Sequence, residues 1–219
     1  MNAELPAVAE AGPAPESSAR ERILDAAVER IAGEGIDDVR IARIAVDAGV
    51  SPALVHYHFD SRETLLAEAL EHSYHRVGRD RIPPDEPPSS GPEQRLRRMV
   101  ETYLPLPGEQ RRDWMLWVEL WLRAMRHPGL EPTSARLYAD MHARVRDAAL
   151  AAAGDRRPSD GWDPDEFADH LLALIDGLGV RVLLGDPGMS RERMRCLVWS
   201  FVSGQLALDP DPNPPDVVC

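Results

Sequence analysis

The sequence predicts an all-α protein made of two helical domains. Three observations carry this prediction: apolar residues recur at helical spacing, capping residues precede the apolar segments, and Pro–Gly breaks separate them. A hydrophobic content of 43% in 219 residues is enough to bury a substantial core. The Pro-rich stretch 83–92 divides a smaller domain at about 18–82 from a larger one at about 93–207.

The segments at either end of the chain look different. Residues 1–17 are rich in Pro, Ala and Glu without periodicity, which predicts a disordered tail, and repeated Asp and Pro predict a loose tail over 208–219. No apolar run approaches the roughly 20 residues that span a bilayer, and no basic, then apolar leader is present. With two cysteines, Cys196 and Cys219, the pattern favours a reduced, cytoplasmic protein without membrane contact.

The first helices are marked by their caps. Ser18-Ala-Arg-Glu21 has the capping-box pattern, and Ile23, Leu24 and Ile31 follow on one helical face until Gly33 and Gly35. A second helix is expected at about 41–48, and Ser51-Pro52 opens a third. Ser61 caps a fourth. Two short helices joined by Ala-Gly-Val-Ser predict a helix-turn-helix.

The surrounding residues resemble one family closely. The stretch from Arg20 to Ala69 is similar to the N-terminal domain of the tetracycline-repressor (TetR) family and carries these matching features: Ile23–Ala27, Gly35, Ile44-Ala45, Gly49–Ser51, Tyr57–Phe59 and Leu65-Leu66. The resemblance implies a sequence-specific DNA-binding regulator, a repressor released from its operator by a small-molecule effector. An activator role stays open. It also implies a homodimer that reads a two-fold site in double-stranded DNA.

The third helix is the expected recognition helix, whose exposed residues enter the major groove. Tyr57 and His58 are expected to donate to phosphates or base edges, and Leu54 to contact a thymine methyl. Solvated surface arginines and a core Tyr57 are the alternatives. The full set of expected DNA-contacting residues is Arg40, Arg43, Ser51, Pro52, Ala53, Leu54, His56, Tyr57, His58 and Arg62.

Five further helices are expected in the larger domain, at about 93–104, 109–126, 132–153, 164–184 and 190–207. The last two are too apolar for one-sided surface helices, so we expect them to form the dimer interface. Leu174-Ile-Asp-Gly-Leu178 is similar to the TetR group typified by the glycine-betaine-pathway repressor.

The helix at 109–126 carries a tryptophan stripe that is either core or the wall of an effector cavity. An apolar or a cationic effector is expected, with a buried carboxylate either facing the cation or paired with Arg123 or Arg181. The candidate effector residues are Trp114, Trp117, Glu119, Trp121, Met125, Tyr138, Met141 and Asp176.

Charge argues against broad electrostatic DNA binding. The net charge is −12, and residues 18–82 carry nine Arg against twelve acids. DNA binding is then expected to be salt-sensitive and to rest on few arginines, while a helical adaptor or ligand-binding protein with a relic helix-turn-helix is the alternative. No nucleophile–base or paired-acid motif is present, so no enzyme and no cofactor are expected. The i, i+2 spacing of His56 and His58 is poor for shared metal ligation.

Overall fold

The computed structural model describes residues 18–81, 91–105, 109–126, 131–154 and 161–208. All regular secondary structure in these ranges is helical, as the sequence predicts. The helices are α1 Ala19–Glu34, α2 Ile41–Asp47, α3 Pro52–His58, α4 Arg62–Arg81, α5 Pro92–Thr102, α6 Glu109–Ala124, α7 Glu131–Ala153, α8 Pro164–Leu183 and α9 Arg191–Leu206.

Helices α1 to α4 form the N-terminal domain. The capping box at Ser18 is present, because its hydroxyl accepts from the Glu21 amide at 3.2 Å and the Glu21 carboxylate accepts from the Ser18 amide at 2.8 Å. Helix α1 packs along α4, and α2 and α3 lie against this pair. Ile36 folds back beneath the end of α1 and is 2% exposed. The small domain therefore has its own apolar core.

The helix-turn-helix is formed by α2, α3 and the four residues between them. Gly49 has φ +64°, a left-handed conformation that residues with a side chain seldom adopt. The Val50 amide then donates to the Ala45 carbonyl at 2.9 Å, and the Val50 side chain packs on the domain core. The Ser51 hydroxyl caps α3 by accepting from the Leu54 amide at 3.2 Å. The turn chemistry thus fixes the angle at which α3 is presented.

Helices α5 to α9 form the larger domain around a second core. Helix α7 packs on α5 and α8, and α8 packs on α9. Leu208, which the sequence analysis assigned to the loose tail, is buried in this core. Leu116 and Leu120 of α6 and Leu137 of α7 belong instead to the core of the N-terminal domain. The two domains are therefore joined by continuous apolar packing through α6.

Two further expectations concern membrane contact and the segments outside the helical domains. No helix in the described ranges is long and apolar enough to cross a membrane. The tail expected at 1–17, the Pro-rich boundary at 83–90 and residues 209–219 lie outside the described residues.

Candidate functional site

Helix α3 presents one face to solvent and one to the core. Val55 and Phe59 anchor it, with 1% and 2% exposure. Tyr57 is 81% exposed, so the alternative that it belongs to the core is wrong. The other expected contact residues on this helix are exposed (Pro52, Ala53, His56) or half-buried (Leu54, His58). The anchored face leaves the rest of the helix free to enter a DNA groove.

The three arginines expected at phosphates differ in what they contact. Arg40 is exposed at the N-terminus of α2. Arg43 pairs with Glu34 at 3.2 Å and keeps a side-chain exposure of 59%. Arg62 is turned inward: its guanidinium donates to the carbonyls of Ile36, Asp37 (3.2 Å) and Val39 (3.2 Å) in the α1–α2 loop. A phosphate contact by Arg62 requires that it share or leave these carbonyls.

The larger domain contains an apolar cavity between α4, the end of α5, α6, α7 and α8. Its volume is about 80 Å³. One water needs about 10–15 Å³, so the cavity has room for a small ligand. It is lined chiefly by Tyr74, Tyr103, Trp114, Trp117, Trp121, Met141, Ile175, Asp113 and Asp176.

Aromatic rings form a continuous wall of this cavity. Trp114 and Trp121 meet edge to face with centroids 6.4 Å apart, and Trp117 lies 6.1 Å from Trp121. Tyr74 of α4 continues the chain edge to face with Trp117 at 5.8 Å. The Trp114 indole is fixed because its Nε1 donates to the Tyr103 carbonyl at 3.0 Å. The rings are therefore held in place by one another and by the backbone.

Gly179 explains how Trp114 fits against α8. An added Cβ at this position would lie 2.1 Å from Cη2 of Trp114, a distance that real Cβ atoms do not show. The glycine thus allows the helix backbone to touch the indole directly. Trp114 is 7% exposed and belongs to the larger core as well as to the cavity wall. The choice between core and cavity is therefore not exclusive at this residue.

Two carboxylates reach the apolar cavity. Asp176 on α8 accepts a hydrogen bond from the Tyr138 hydroxyl, and burial raises the pKa of Asp176 despite that bond. Asp113 on α6 is 8% exposed and accepts from the Ser73 hydroxyl of α4 at 3.4 Å. Buried carboxylates favour a cationic partner, because desolvation penalises an uncompensated negative charge. The cavity combines acidic groups with aromatic faces.

A second polar group lies where the cavity borders a surface cleft. Arg144 of α7 lines both spaces, with its guanidinium 5.8 Å from the Tyr74 ring centroid. Its Nε donates to Asp140 at 3.1 Å, and the same carboxylate accepts from the Tyr74 hydroxyl at 3.0 Å. The Arg144 charge is thus paired with an acid at the edge of the cavity.

Comparison with known proteins decides the family. The family model of bacterial regulatory proteins of the TetR family matches residues 23–69, and that of the BetI-type transcriptional repressor C-terminal domain matches residues 92–207. The chain belongs to the TetR family, with a BetI-type C-terminal domain. It is accordingly a DNA-binding transcriptional regulator that responds to a small molecule. The family resemblance read from the sequence is confirmed.

Relatives and solved structures support the same assignment. The regulator BetI of Brucella suis is 26% identical over 87% of this chain and 93% of its own length. A transcriptional regulator of Saccharomonospora viridis, solved in complex with choline, is 34% identical over 84% of this chain and 95% of its own, with a TM-score of 0.74. A TetR-family regulator from Rhodococcus sp. is 29% identical over 86% and 98%, with a TM-score of 0.75.

Within this TetR fold, the structure separates the candidate effector residues. The three tryptophans, Met141 and Asp176 line the cavity. Tyr138 stands behind Asp176 as its hydrogen-bond donor. Met125 is 75% exposed beyond the end of α6, and Glu119 contacts the α1–α2 loop instead of the cavity. The stripe predicted the buried face of α6 but not which neighbours each residue meets.

The expected partners of the acids also differ. Arg181 pairs with Asp186 at 2.8 Å and Arg123 pairs with Asp37 at 2.7 Å. Sequence reasoning missed Asp113, Tyr74 and Tyr103. Asp113 shares the i, i+4, i+8 row with Trp117 and Trp121, a signal that was available. The two tyrosines come from other helices and carry no comparable signal.

Proposed function

We propose that this TetR-family regulator is a homodimeric repressor that leaves a two-fold operator when a small quaternary-ammonium cation enters the aromatic cavity. The single observation that carries the effector class is the wall of tryptophan and tyrosine rings together with Asp113 and Asp176. Cation binding would favour one separation of the two recognition helices over another and so weaken DNA binding.

The proposed DNA contact surface is the exposed side of α3 with the start of α2. Tyr57 supplies a phenol at 81% exposure, and Pro52, Ala53 and His56 are exposed beside it. Half-buried Leu54 and His58 border them, and Ser51 caps the helix. Arg40 and Arg43 supply the contacts to the DNA backbone. Arg62 contacts the α1–α2 loop, which leads to Arg40.

The proposed dimer interface is formed by α8 and α9. The sequence predicts that these helices carry more apolar surface than one subunit buries, but most of their large apolar residues, such as Ile175 and Val198, lie inside the subunit core. The exposed residues of these helices include four small ones, Ala173, Gly177, Ser200 and Gly204. Leu184, which follows α8, is 80% exposed. Small residues let helices of two subunits approach closely.

The effector chemistry follows from the ring faces and the size of the cavity. An aromatic face attracts a cation by about 0.5–2 kcal/mol, and quaternary ammonium groups are the ligands that aromatic cages select. Choline, with which the Saccharomonospora viridis regulator was solved, is a small cation of this class. The charge of Asp113 or Asp176 adds to the preference for a cation.

A neutral isostere tests this proposal directly. In 3,3-dimethylbutanol a carbon replaces the choline nitrogen, so shape is conserved and charge is lost. Calorimetry should show that choline binds about tenfold more tightly, and choline at about 100 times its dissociation constant should stabilise the protein by about 2.7 kcal/mol. Equal affinity for both compounds would show an apolar rather than a cationic site, and no binding of either would reject the effector class.

DNA binding is tested with a duplex selected from random double-stranded DNA by the full-length protein. We expect specific binding that weakens steeply with salt, with a log–log slope of about −0.9 for each phosphate contacted, and choline is expected to release the duplex. A protein with a relic helix-turn-helix would select no duplex. Stronger DNA binding with choline would instead describe an activator-type or co-repressed regulator.

A further inference from the structure

The loop between α1 and α2, residues 35–40, is held from both domains. From the larger domain, Glu119 of α6 accepts from the Ile36 amide at 3.5 Å, and Arg123 of α6 pairs with the Asp37 carboxylate at 2.7 Å. From the N-terminal domain, Arg62 donates to three carbonyls of the same loop. Three of the six loop positions, Ile36, Asp37 and Val39, are thus held by side chains from α4 and α6.

Helix α6 connects this loop to the effector cavity. Glu119 and Arg123 each follow a cavity tryptophan, Trp117 and Trp121, by two positions. Two residues correspond to about 200° around a helix, so the loop contacts and the cavity contacts lie on opposite sides of α6. Any displacement of α6 by a ligand therefore moves Glu119 and Arg123 with the tryptophans.

Arg62 carries the connection onward to the DNA-binding surface. It is the first residue of α4 and stands four positions after His58, the last residue of the recognition helix. The same helix α4 supplies Ser73 and Tyr74 to the cavity. The loop therefore joins α6 to the end of α3 through one guanidinium group.

Apolar packing also joins the domains, through Leu116 and Leu120 of α6. Such packing is not directional and permits helices to slide, whereas hydrogen bonds and ion pairs fix a register. The Asp37 side chain is 74% exposed, so its pair with Arg123 adds little to global stability. This combination suits a contact that positions two domains without holding the fold together.

We propose that Glu119, Arg123 and Arg62 form a latch on the α1–α2 loop that couples the effector cavity to the recognition helix. The proposal rests on the proposed function for the identity of the effector, but not for the coupling itself. Glu119 and Arg123 are positioning residues: they contact neither effector nor DNA, and they transmit between the two sites.

The test compares three proteins by tryptophan emission and operator binding. All five tryptophans lie between residues 114 and 199, outside the helix-turn-helix, so their emission reports on the larger domain and, through Trp117, on its contact with the N-terminal core. The latch variant is Glu119→Ala/Arg123→Gln, and the matched control is Arg111→Gln, an exposed position on the same helix. Operator binding is followed by anisotropy of the labelled selected duplex, with and without choline as the probe.

In the wild-type and Arg111→Gln proteins, operator binding should change tryptophan emission, and choline should raise the operator dissociation constant. In the latch variant, we expect the emission change to fall by at least about two-thirds and the choline effect to shrink about three- to tenfold, within the usual range of coupling. Choline affinity without DNA should stay within about twofold. By reciprocity, the effect of operator on choline affinity should shrink by the same factor.

Full wild-type coupling in the latch variant would overturn the latch, as would a wild-type protein whose emission ignores the operator. If choline has no effect on the wild type, the effector class fails, while the emission response to operator still decides the latch. Should the double variant fold poorly, Asp37→Asn removes the Arg123 ion pair from the exposed side of the loop and must weaken the same coupling.

Discussion

Gly179 offers a sharp test of the cavity wall. Its missing side chain lets α8 touch Trp114: a Cβ would stand 2.1, 2.5 and 2.6 Å from three carbons of the indole. Favourable carbon–carbon contacts lie at about 3.5–4.0 Å, so Gly179→Ala forces the ring or the helix to move by about 1.5 Å. The ring cannot move freely, because Nε1 donates a hydrogen bond to the Tyr103 carbonyl and Trp121 meets the indole edge to face.

The magnitude follows from two opposing effects. Alanine is favoured over glycine in a helix by about 0.8–1 kcal/mol, whereas overpacking a core costs about 1–3 kcal/mol. The net expectation is a change between zero and about 2 kcal/mol of destabilisation, which lowers the melting midpoint by up to about 8 °C in a protein of this size. Displacement of Trp114 should also weaken choline binding at least about tenfold.

Gly33→Ala is the matched control, because this α1 glycine has nothing within 4 Å of an added Cβ. Gly33→Ala should stabilise the protein only through the higher helix propensity of alanine. The melting midpoint should therefore rise, and the affinity for choline should not change. Both variants are measured by calorimetric unfolding and choline titration. The reasoning is refuted if Gly179→Ala raises the midpoint as Gly33→Ala does and binds choline like the wild type.

Three other predictions use the same measurements. Tyr57→Ala should abolish operator binding yet leave the melting midpoint within a few degrees, since the side chain is 81% exposed; a large loss of stability would contradict this. Burial raises the pKa of Asp176, so the folded protein favours the protonated carboxyl. The stability that this protonated form contributes is lost as the pH rises through the raised pKa. Asp176→Asn should therefore not lower apo stability at neutral pH, but it should weaken choline binding, and wild-type choline affinity should fall as pH drops through that pKa. Light scattering should show a dimer at micromolar concentration, and Gly177→Arg on the exposed face of α8 should give a folded monomer; a wild-type monomer would remove the dimer model.

Local signals in the sequence predicted the helices well. Ser18, Ser51 and Gly49 act through neighbours within four residues, so their effects are readable without a fold. Helical spacing likewise predicted that Trp114 would be buried. These inferences depend on the chain within one or two turns of each residue.

Partners from distant parts of the chain were not predictable in the same way. Glu119 was expected to face an effector and Arg62 a phosphate, but both contact a loop that lies 83 and about 25 positions away in the sequence. Composition shows that a half-buried charge needs a partner, and only the tertiary fold selects which partner it meets. Tyr74 of α4 lines the cavity of the larger domain for the same reason.

The acidity of the DNA-binding domain has a physical consequence for operator choice. Arg30 donates to Asp47 and Glu34 and lowers the pKa of both carboxyls, and Arg43 pairs with Glu34 as well. Several positive charges are thus neutralised within the domain, which weakens the electrostatic attraction that supplies nonspecific DNA binding. Contacts from α3 to base edges do not depend on that field. Low off-site affinity with intact base contacts raises the ratio of specific to nonspecific binding, so an acidic domain is compatible with a selective regulator.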